Sequence, residues 1–323
     1  LPTKSRRRRT QRQTSPQTRQ PAESMSVAKT QEAPDFGKII TKAWTGGISG
    51  AGAMVVQVTT LMWMRTTMNY QYRYGGSMLQ SIKFLYKDGG GGVKGILRFY
   101  RGYVPALFQG PLSRFGDTAS NAGTLALLDS YETTKNLPVA VKTATASTAA
   151  GLFRIFLMPI DCVKTTMQVE GKDALKMLRL KIATSGPKVL WAGSLASAGA
   201  TMVGHFPWFY TYNQLDALLP QPAQFMPFVG NDFAQKLLRN AMMGFCSSVV
   251  SDTCSNSIRV IKTTKQTHKQ NISYVAATKE VIAKDGIMGL FGRGLGTRVI
   301  TNGMQGLMFS VMWRLIQDQM AKK

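Results

Sequence analysis

The sequence predicts an all-α membrane protein built from three copies of one unit: long helix, short surface helix, long helix. Three observations carry that prediction. Two windows, Ala43 to Met64 and Val189 to Leu215, contain no Asp, Glu, Lys or Arg, and each exceeds the roughly 20 residues that cross a bilayer core as a helix. A ten-residue pattern centred on a basic residue recurs at 65, 164 and 262, a spacing of 99 and then 98. A second pattern follows each copy, a Gly preceded by Asp or Ser and then a short run ending in another Gly.

The chain opens on residues 1–36, a basic extension. Lys4, Arg6, Arg7, Arg8, Arg9, Arg12 and Arg19 stand against Glu23 up to Ser24, with Ser, Thr, Gln and Pro between them. Such a stretch forms no apolar core. Arg-rich composition allows a transit peptide, although no amphipathic stripe accompanies it, and Met25 is an alternative start.

Three units follow, over 37–136, 137–230 and 231–323. Their first helices carry Thr60-Leu-Met-Trp-Met-Arg65-Thr-Thr-Met-Asn69, Pro159-Ile-Asp161-Cys-Val-Lys164-Thr-Thr-Met-Gln168 and Ser257-Ile-Arg259-Val-Ile-Lys262-Thr-Thr-Lys-Gln266. All three read basic-Thr-Thr-x-amide. Upstream lie the small pairs Gly47 and Ala51, Ala146 and Ala150, and Gly244 and Ser248, a spacing that lets membrane helices approach closely. Downstream, Asp88-Gly89 leads to Phe99-Tyr-Arg101-Gly102, Ser185-Gly186 to Leu190-Trp-Ala-Gly193, and Asp285-Gly286 to Phe291-Gly-Arg293-Gly294. Long helices are expected near 38–68, 101–136, 139–168, 192–217, 234–265 and 294–317, with both termini on one side.

Composition narrows the class. The 323 residues hold 40 Lys+Arg against 16 Asp+Glu, a net charge of +24, yet only 17% are charged and 44% are hydrophobic. The charge alone would allow nucleic-acid binding, but its spacing leaves long uncharged helices, so no nucleic-acid partner is expected. Attraction to anionic lipid headgroups, about 1 kcal/mol per surface Lys or Arg, explains it better. Mean hydropathy is −0.08 because Gly, Ser, Thr, Gln and Asn interrupt every apolar stretch, as in helices with one face to lipid and one to a polar interior. Cys162, Cys246 and Cys254 form no CxxC, and the expectation is buried small side chains in a reducing compartment. There is no HExxH and no GxSxG, and Gly89 to Gly92 lack the following Gly-Lys-Ser/Thr of a phosphate loop. No enzyme, cofactor or metal site is expected.

On these residues the chain resembles the mitochondrial carrier family. Pro159-Ile-Asp161-Cys-Val-Lys164 fits that family's Px[DE]xx[KR] signature, and Asp88-Gly89 to Arg101-Gly102 and Asp285-Gly286 to Arg293-Gly294 fit its second element. The resemblance implies six transmembrane helices in threefold pseudosymmetry around a central cavity, short helices on the matrix side, a kink at Pro159 and a place in the mitochondrial inner membrane. It also implies a matrix gate, with an acid of each odd helix pairing to a base of the next repeat. Here the acid slots hold Met62, Asp161 and Arg259, and the base slots Arg65, Lys164 and Lys262. Only Asp161 can pair with Lys262; Lys164 faces Met62, and Arg259 confronts Arg65. The opposite gate is degenerate too, its one good copy, Tyr131-Glu132-Thr-Thr-Lys135, arriving ten residues late.

Substrate positions implied by the resemblance are Gln109 and Gly110, Ala200 and Thr201, and Thr301 and Asn302. The spacing of Gly110, Arg114, Asp117 and Asn121 puts them on one face of the second long helix, facing the cavity or else self-paired through Arg114 and Asp117. His205 shares a face with Thr201, as a cavity ligand or a packed side chain. At the cavity, Arg65, Arg114, Lys164, Arg259 and Lys262 oppose Asp117 and Asp161, a balance that favours an anion. Two functions stay open: transport of a small anionic metabolite by alternating access, with lipid such as cardiolipin as a further partner, or a non-transporting accessory subunit of an inner-membrane complex. The chain would act as a monomer or within a larger membrane assembly.

Overall fold

The computed structural model describes residues 36–220 and 232–321, and side chains at 37, 54–139, 141–220 and 235–308; the basic extension up to residue 35 lies outside them. Every regular element among the described residues is helical. The first unit comprises α1 (Phe36–Tyr74), α2 (Met78–Asp88), α3 (Gly92–Phe99), α4 (Tyr103–Ser130) and the single turn α5 (Glu132–Lys135). The second comprises α6 (Val139–Phe156), α7 (Met158–Glu170), α8 (Ala174–Ser185) and α9 (Ser194–Leu218); the third comprises α10 (Asp232–Thr267), α11 (Tyr274–Gly292) and α12 (Leu295–Ala321). Local chemistry sets several ends. Ser77 and Gln80 form a capping box before α2, Ser273 Oγ accepts from the Ala276 N–H before α11, and left-handed Gly102 and Gly193 precede α4 and α9.

The long helices close a ring. α1 packs on α4, α4 on α6, α6 on α9, α9 on α10, α10 on α12, and α12 on α1. At one end of the ring α1, α7 and α10 also touch one another. Glycine permits two of the crossings. A Cβ on Gly116 of α4 would stand 1.9 Å from the Phe153 ring of α6, and Ser251 Oγ of α10 donates to the Gly204 carbonyl of α9 at 2.7 Å. The pair Gly244 and Ser248 does not make such a crossing, since Gly244 faces open space.

The distribution of side chains is inverted relative to a soluble bundle. Val104, Phe108, Leu152, Phe156, Leu195 and Phe206 point outward and exposed, while Thr66, Ser113, Asp161, Ser197, Asp252 and Thr301 are buried. Among the described residues no single helix is long and apolar enough to cross a membrane, but the pair Val141–Phe156 and Met158–Ser185, bent by 66°, passes together by length and composition. The polar inner face is why: averaged around the helix, it cancels the apolar outer face.

Several boundaries depart from the sequence expectation. The uncharged window Val189 to Leu215 starts before its helix: Pro187–Trp191 forms a 3-10 turn and α9 begins at Ser194 after Gly193, close to the expected 192–217. The second long helix stops at Ser130, where Tyr131 turns extended; Glu132 and Lys135 pair at 3.7 Å and are exposed. The break in the third falls at Leu157, two residues before Pro159. Proline lacks an N–H, so the Ile155 carbonyl loses its partner from that position, and hydrogen bonding resumes with Asp161 N–H to the Leu157 carbonyl at 3.1 Å. Repeat one bends at Leu61 (φ −108°, ψ 15°), the register of Ile160 rather than of Leu157, without any proline.

A ring of cations ties each repeat to the next. Arg98 donates to the carbonyls of Gln168 and Val169, both at 2.9 Å, and to Asp88 at 2.6 Å. Lys181 donates to the Gln266 carbonyl at 3.0 Å, and Arg293 to the Arg73 carbonyl at 3.1 Å and to Asp285 at 2.7 Å. Each surface segment thus caps orphan carbonyls at the end of the next repeat's odd helix. Repeat two has Ala192 where repeat three has Arg293, and Lys181 reaches over from α8 instead. Burial pushes the Lys181 ammonium below its usual range.

Candidate functional site

The helices enclose a central cavity of about 290 Å³. Its wall takes Arg65 from α1, Gln109, Gly110, Arg114 and Asp117 from α4, Arg154 from α6, Asp161 and Lys164 from α7, Ala200 from α9, Arg259 and Lys262 from α10, and Arg298, Thr301 and Asn302 from α12. Three residues named from the sequence lie elsewhere. Asn121 is exposed and absent from the wall. Thr201 is buried with its hydroxyl on the Ser197 carbonyl at 3.1 Å, and His205 is absent from the wall. Its Nδ1 shares a 2.6 Å hydrogen bond with Ser147 Oγ of α6 while the ring meets Phe209 edge-on. His205 is a packing and bridging side chain between α6 and α9.

At the end where the odd helices converge, Asp161 is the centre. It accepts from Lys164 at 2.8 Å and Lys262 at 2.6 Å, and Gln266 Nε2 stands 3.3 Å away. The carboxylate is nearly inaccessible to solvent, so its charge depends on those two ammonium groups. Lys164 therefore turns to the acid of its own helix and to Gln109 Oε1 at 2.9 Å rather than to Met62. The Met62 thioether instead accepts from Gln168 Nε2 at 3.4 Å, and Gln168 Oε1 accepts from Asn69 at 2.5 Å. The amides closing the basic-Thr-Thr-x-amide pattern thus link repeats one and two.

Arg259 and Arg65, which the sequence pattern sets against each other, take separate partners. Arg259 Nε donates to Ser255 Oγ at 3.2 Å, and its Nη2 stands 3.8 Å from Asp252. Arg65 Nη2 meets only the Met54 thioether, at 3.7 Å, and its buried Nε has no acceptor among the described residues. Arg298 repels both. The Arg114 and Asp117 self-pair is replaced by a bond across helices: Asp117 accepts from Arg154 Nη2 at 2.6 Å and Nε at 3.1 Å. Arg114 is left facing the cavity with no ion pair among the described residues.

Sequence reasoning missed Arg154, Asp252 and Arg298. Asp252 is buried and holds Arg298 Nε at 2.6 Å and Asn302 Nδ2 at 2.5 Å. A signal was present, since Arg154 and Asp252 both stand ten residues before the basic residue of their repeats. Counted together, the wall presents seven cationic side chains and two carboxylates, with Asp252 just behind it. Both wall carboxylates are already engaged by lysine or arginine.

The far end is tied differently from the family-like slots. Arg239 donates to Asp216 at 2.6 Å and to the carbonyls of Asp216, Leu219 and Pro220, joining α9 to α10. Lys142 bridges Asp129 and the Lys135 carbonyl between α4 and α6. Trp313 to Gln317, the third copy of that gate, has side chains outside the described residues. Compared with known families, the chain matches the one described as Mitochondrial carrier protein over residues 135–223 and 233–323. No curated protein matches it.

Proposed function

Because the chain belongs to the mitochondrial carrier family, whose two matched segments cover more than half of its length, we propose that it carries a small anionic metabolite across the mitochondrial inner membrane by alternating access. The family as a whole transports solutes across that membrane. The observation that supports an anion is the wall of the cavity: seven cations face two carboxylates, and both carboxylates are neutralised locally by Lys164, Lys262 and Arg154. Inside low-dielectric walls a surplus of that size repels cations and concentrates anions. Arg114 and Arg259 are the side chains with most spare capacity, and Gln109, Asn302 and Thr301 offer neutral partners to the rest of the solute.

In this reading the three repeats, 37–136, 137–230 and 231–323, each supply two membrane-spanning helices, with α2, α3, α8 and α11 on the matrix surface. Asp161, Lys164 and Lys262 form the closed matrix gate. The outward apolar side chains face lipid, and the surface lysines meet anionic headgroups. The non-transporting alternative rested on gates without partners, whereas Asp161, Lys164 and Lys262 engage one another and Arg259 approaches Asp252.

Uptake by proteoliposomes holding the full chain tests the proposal. A panel of labelled carboxylates, phosphates, zwitterions and amines should show saturable uptake of one or more anions and none of the amines, and Arg114→Ala should weaken it. Saturable uptake of an amine, with no anion taken up, would overturn the anionic reading.

A further inference from the structure

The gate is short of negative charge in a way that the cavity's own residues do not repair. Of the three acid slots, only Asp161 holds a carboxylate, and it is saturated by Lys164 at 2.8 Å and Lys262 at 2.6 Å. Asp252, the acid that Arg259 approaches, already pairs with Arg298 at 2.6 Å and accepts from Asn302 at 2.5 Å. Two guanidinium groups remain. Arg65 has a thioether and no acceptor for its buried Nε among the described residues, and Arg259 has one neutral hydroxyl at 3.2 Å and the far edge of Asp252 at 3.8 Å. A guanidinium carries five donors in a planar fork suited to an oxyanion. Removing such a group from water without an anionic partner is unfavourable by several kcal/mol. Arg65 and Arg259 stand on α1 and α10, two of the helices whose convergence closes this end, and Arg298 on α12 lines the same cavity as a third positive charge.

Resting on the anionic reading of the cavity, we propose that the bound anion is itself a gate element: its oxyanion group occupies the place of the missing acids, between Arg65 and Arg259, and the matrix gate closes fully only around it. Without the anion, repulsion among Arg65, Arg259 and Arg298 pushes α1, α10 and α12 apart while the Asp161 cluster holds α7 to α10. With it, one group of charge −1 or −2 attracts all three guanidinium groups and offsets their mutual repulsion. Any compact oxyanion, carboxylate or phosphate, serves this role, because the recognition is of charge and forked geometry. An acid built into the slot removes the requirement. Arg259→Asp deletes one of these two weakly engaged cations and places a carboxylate in the acid slot of repeat three.

The test uses the full chain in proteoliposomes, with Cys162, Cys246 and Cys254 replaced by Ala and a single probe made by Met62→Cys at the buried acid slot of repeat one. Labelling by a membrane-impermeant maleimide is followed with and without inorganic phosphate or sulfate, at constant ionic strength set by chloride. The expected result is a slowing of labelling by oxyanion of about 5-fold to 150-fold, the span of ordinary coupling between sites. In a chain that also carries Arg259→Asp, labelling should be slow without any oxyanion. Should the Met62→Cys chain not fold, Thr263→Cys on the same end of the cavity serves in its place. Labelling unchanged by oxyanion, in a chain that still takes up an anionic solute, overturns the gate role and leaves the anionic transport reading standing. Labelling unchanged and no anion taken up overturns both. Slowing by phosphate that persists undiminished in Arg259→Asp overturns the assignment to the Arg65 and Arg259 pair.

Discussion

Replacing Asp161 by Asn removes the one charge on which two buried ammonium groups depend while keeping the side chain's size. Lys164 and Lys262 lie 2.8 Å and 2.6 Å from its oxygens, on different helices. At an effective dielectric of about 20, charges about 4 Å apart interact by roughly 4 kcal/mol each. Part of that is offset by solvent or by the lysines giving up protons, and breaking buried pairs in this way typically costs about 3–5 kcal/mol. With about 2.1 cal/mol/K of unfolding entropy per residue, a chain of this size answers with a fall in Tm of roughly 4–8 °C. The assay is thermal unfolding of the purified protein in mild detergent, followed by near-ultraviolet circular dichroism. Lys262→Met alone should also destabilise, but the double variant Asp161→Asn with Lys262→Met should be less destabilised than the two single losses added together, because the second change removes a charge the first left unpaired. A Tm for Asp161→Asn within about 2 °C of the unsubstituted protein, or strict additivity in the double variant, would refute the view that Asp161 is the electrostatic centre of the gate.

Arg114→Ala should leave the Tm nearly unchanged, since that side chain has no ion pair among the described residues, yet raise the half-saturating concentration of a transported anion by roughly tenfold or more, the loss of one charge-assisted contact; dose-dependent uptake measures it. Among the inter-repeat caps, Arg98→Met should lower the Tm more than Lys181→Met, because Arg98 serves two carbonyls and Asp88 whereas Lys181 serves the Gln266 carbonyl; equal losses would argue against the capping account. Gly116→Val should destabilise by about 1–3 kcal/mol or prevent folding, since even its Cβ falls within the Phe153 ring; pairing it with Phe153→Ala should recover part of the loss in the same melting experiment.

What was legible in the sequence follows from what repeats. A charge or glycine that recurs at one register marks a position in all three units, so Arg65, Lys164 and Lys262, and Gly102, Gly193 and Gly294, could be placed without coordinates. The helices were legible for the same reason, with errors where one residue's backbone decides: the break at Leu157 and the early stop before Tyr131. Among side-chain partners, Asp161 with Lys262 was legible, but the others were not. Asp117 had Arg114 three residues away on its own helix, yet it bonds Arg154 on α6, because a forked guanidinium from a facing helix matches both carboxylate oxygens. Lys164 likewise chose the acid one turn away over the hydrophobic Met62. For His205 the spacing shared with Thr201 left a cavity ligand and a packed side chain both open, because a spacing fixes only which side chains lie together; here that face meets Ser147 on α6. Asp252 escaped because its role needs Arg298 and Asn302 from a helix more than forty residues further on, a pairing that no periodicity announces.

A structure of the protein with a transported anion bound is the most direct test of a cationic cavity. The account predicts density for the anionic group within hydrogen-bonding distance of Arg65 and Arg259, with Asp161 still held by Lys164 and Lys262. Density lodged away from every one of the seven cations, or Arg259 turned out toward lipid headgroups, would contradict it.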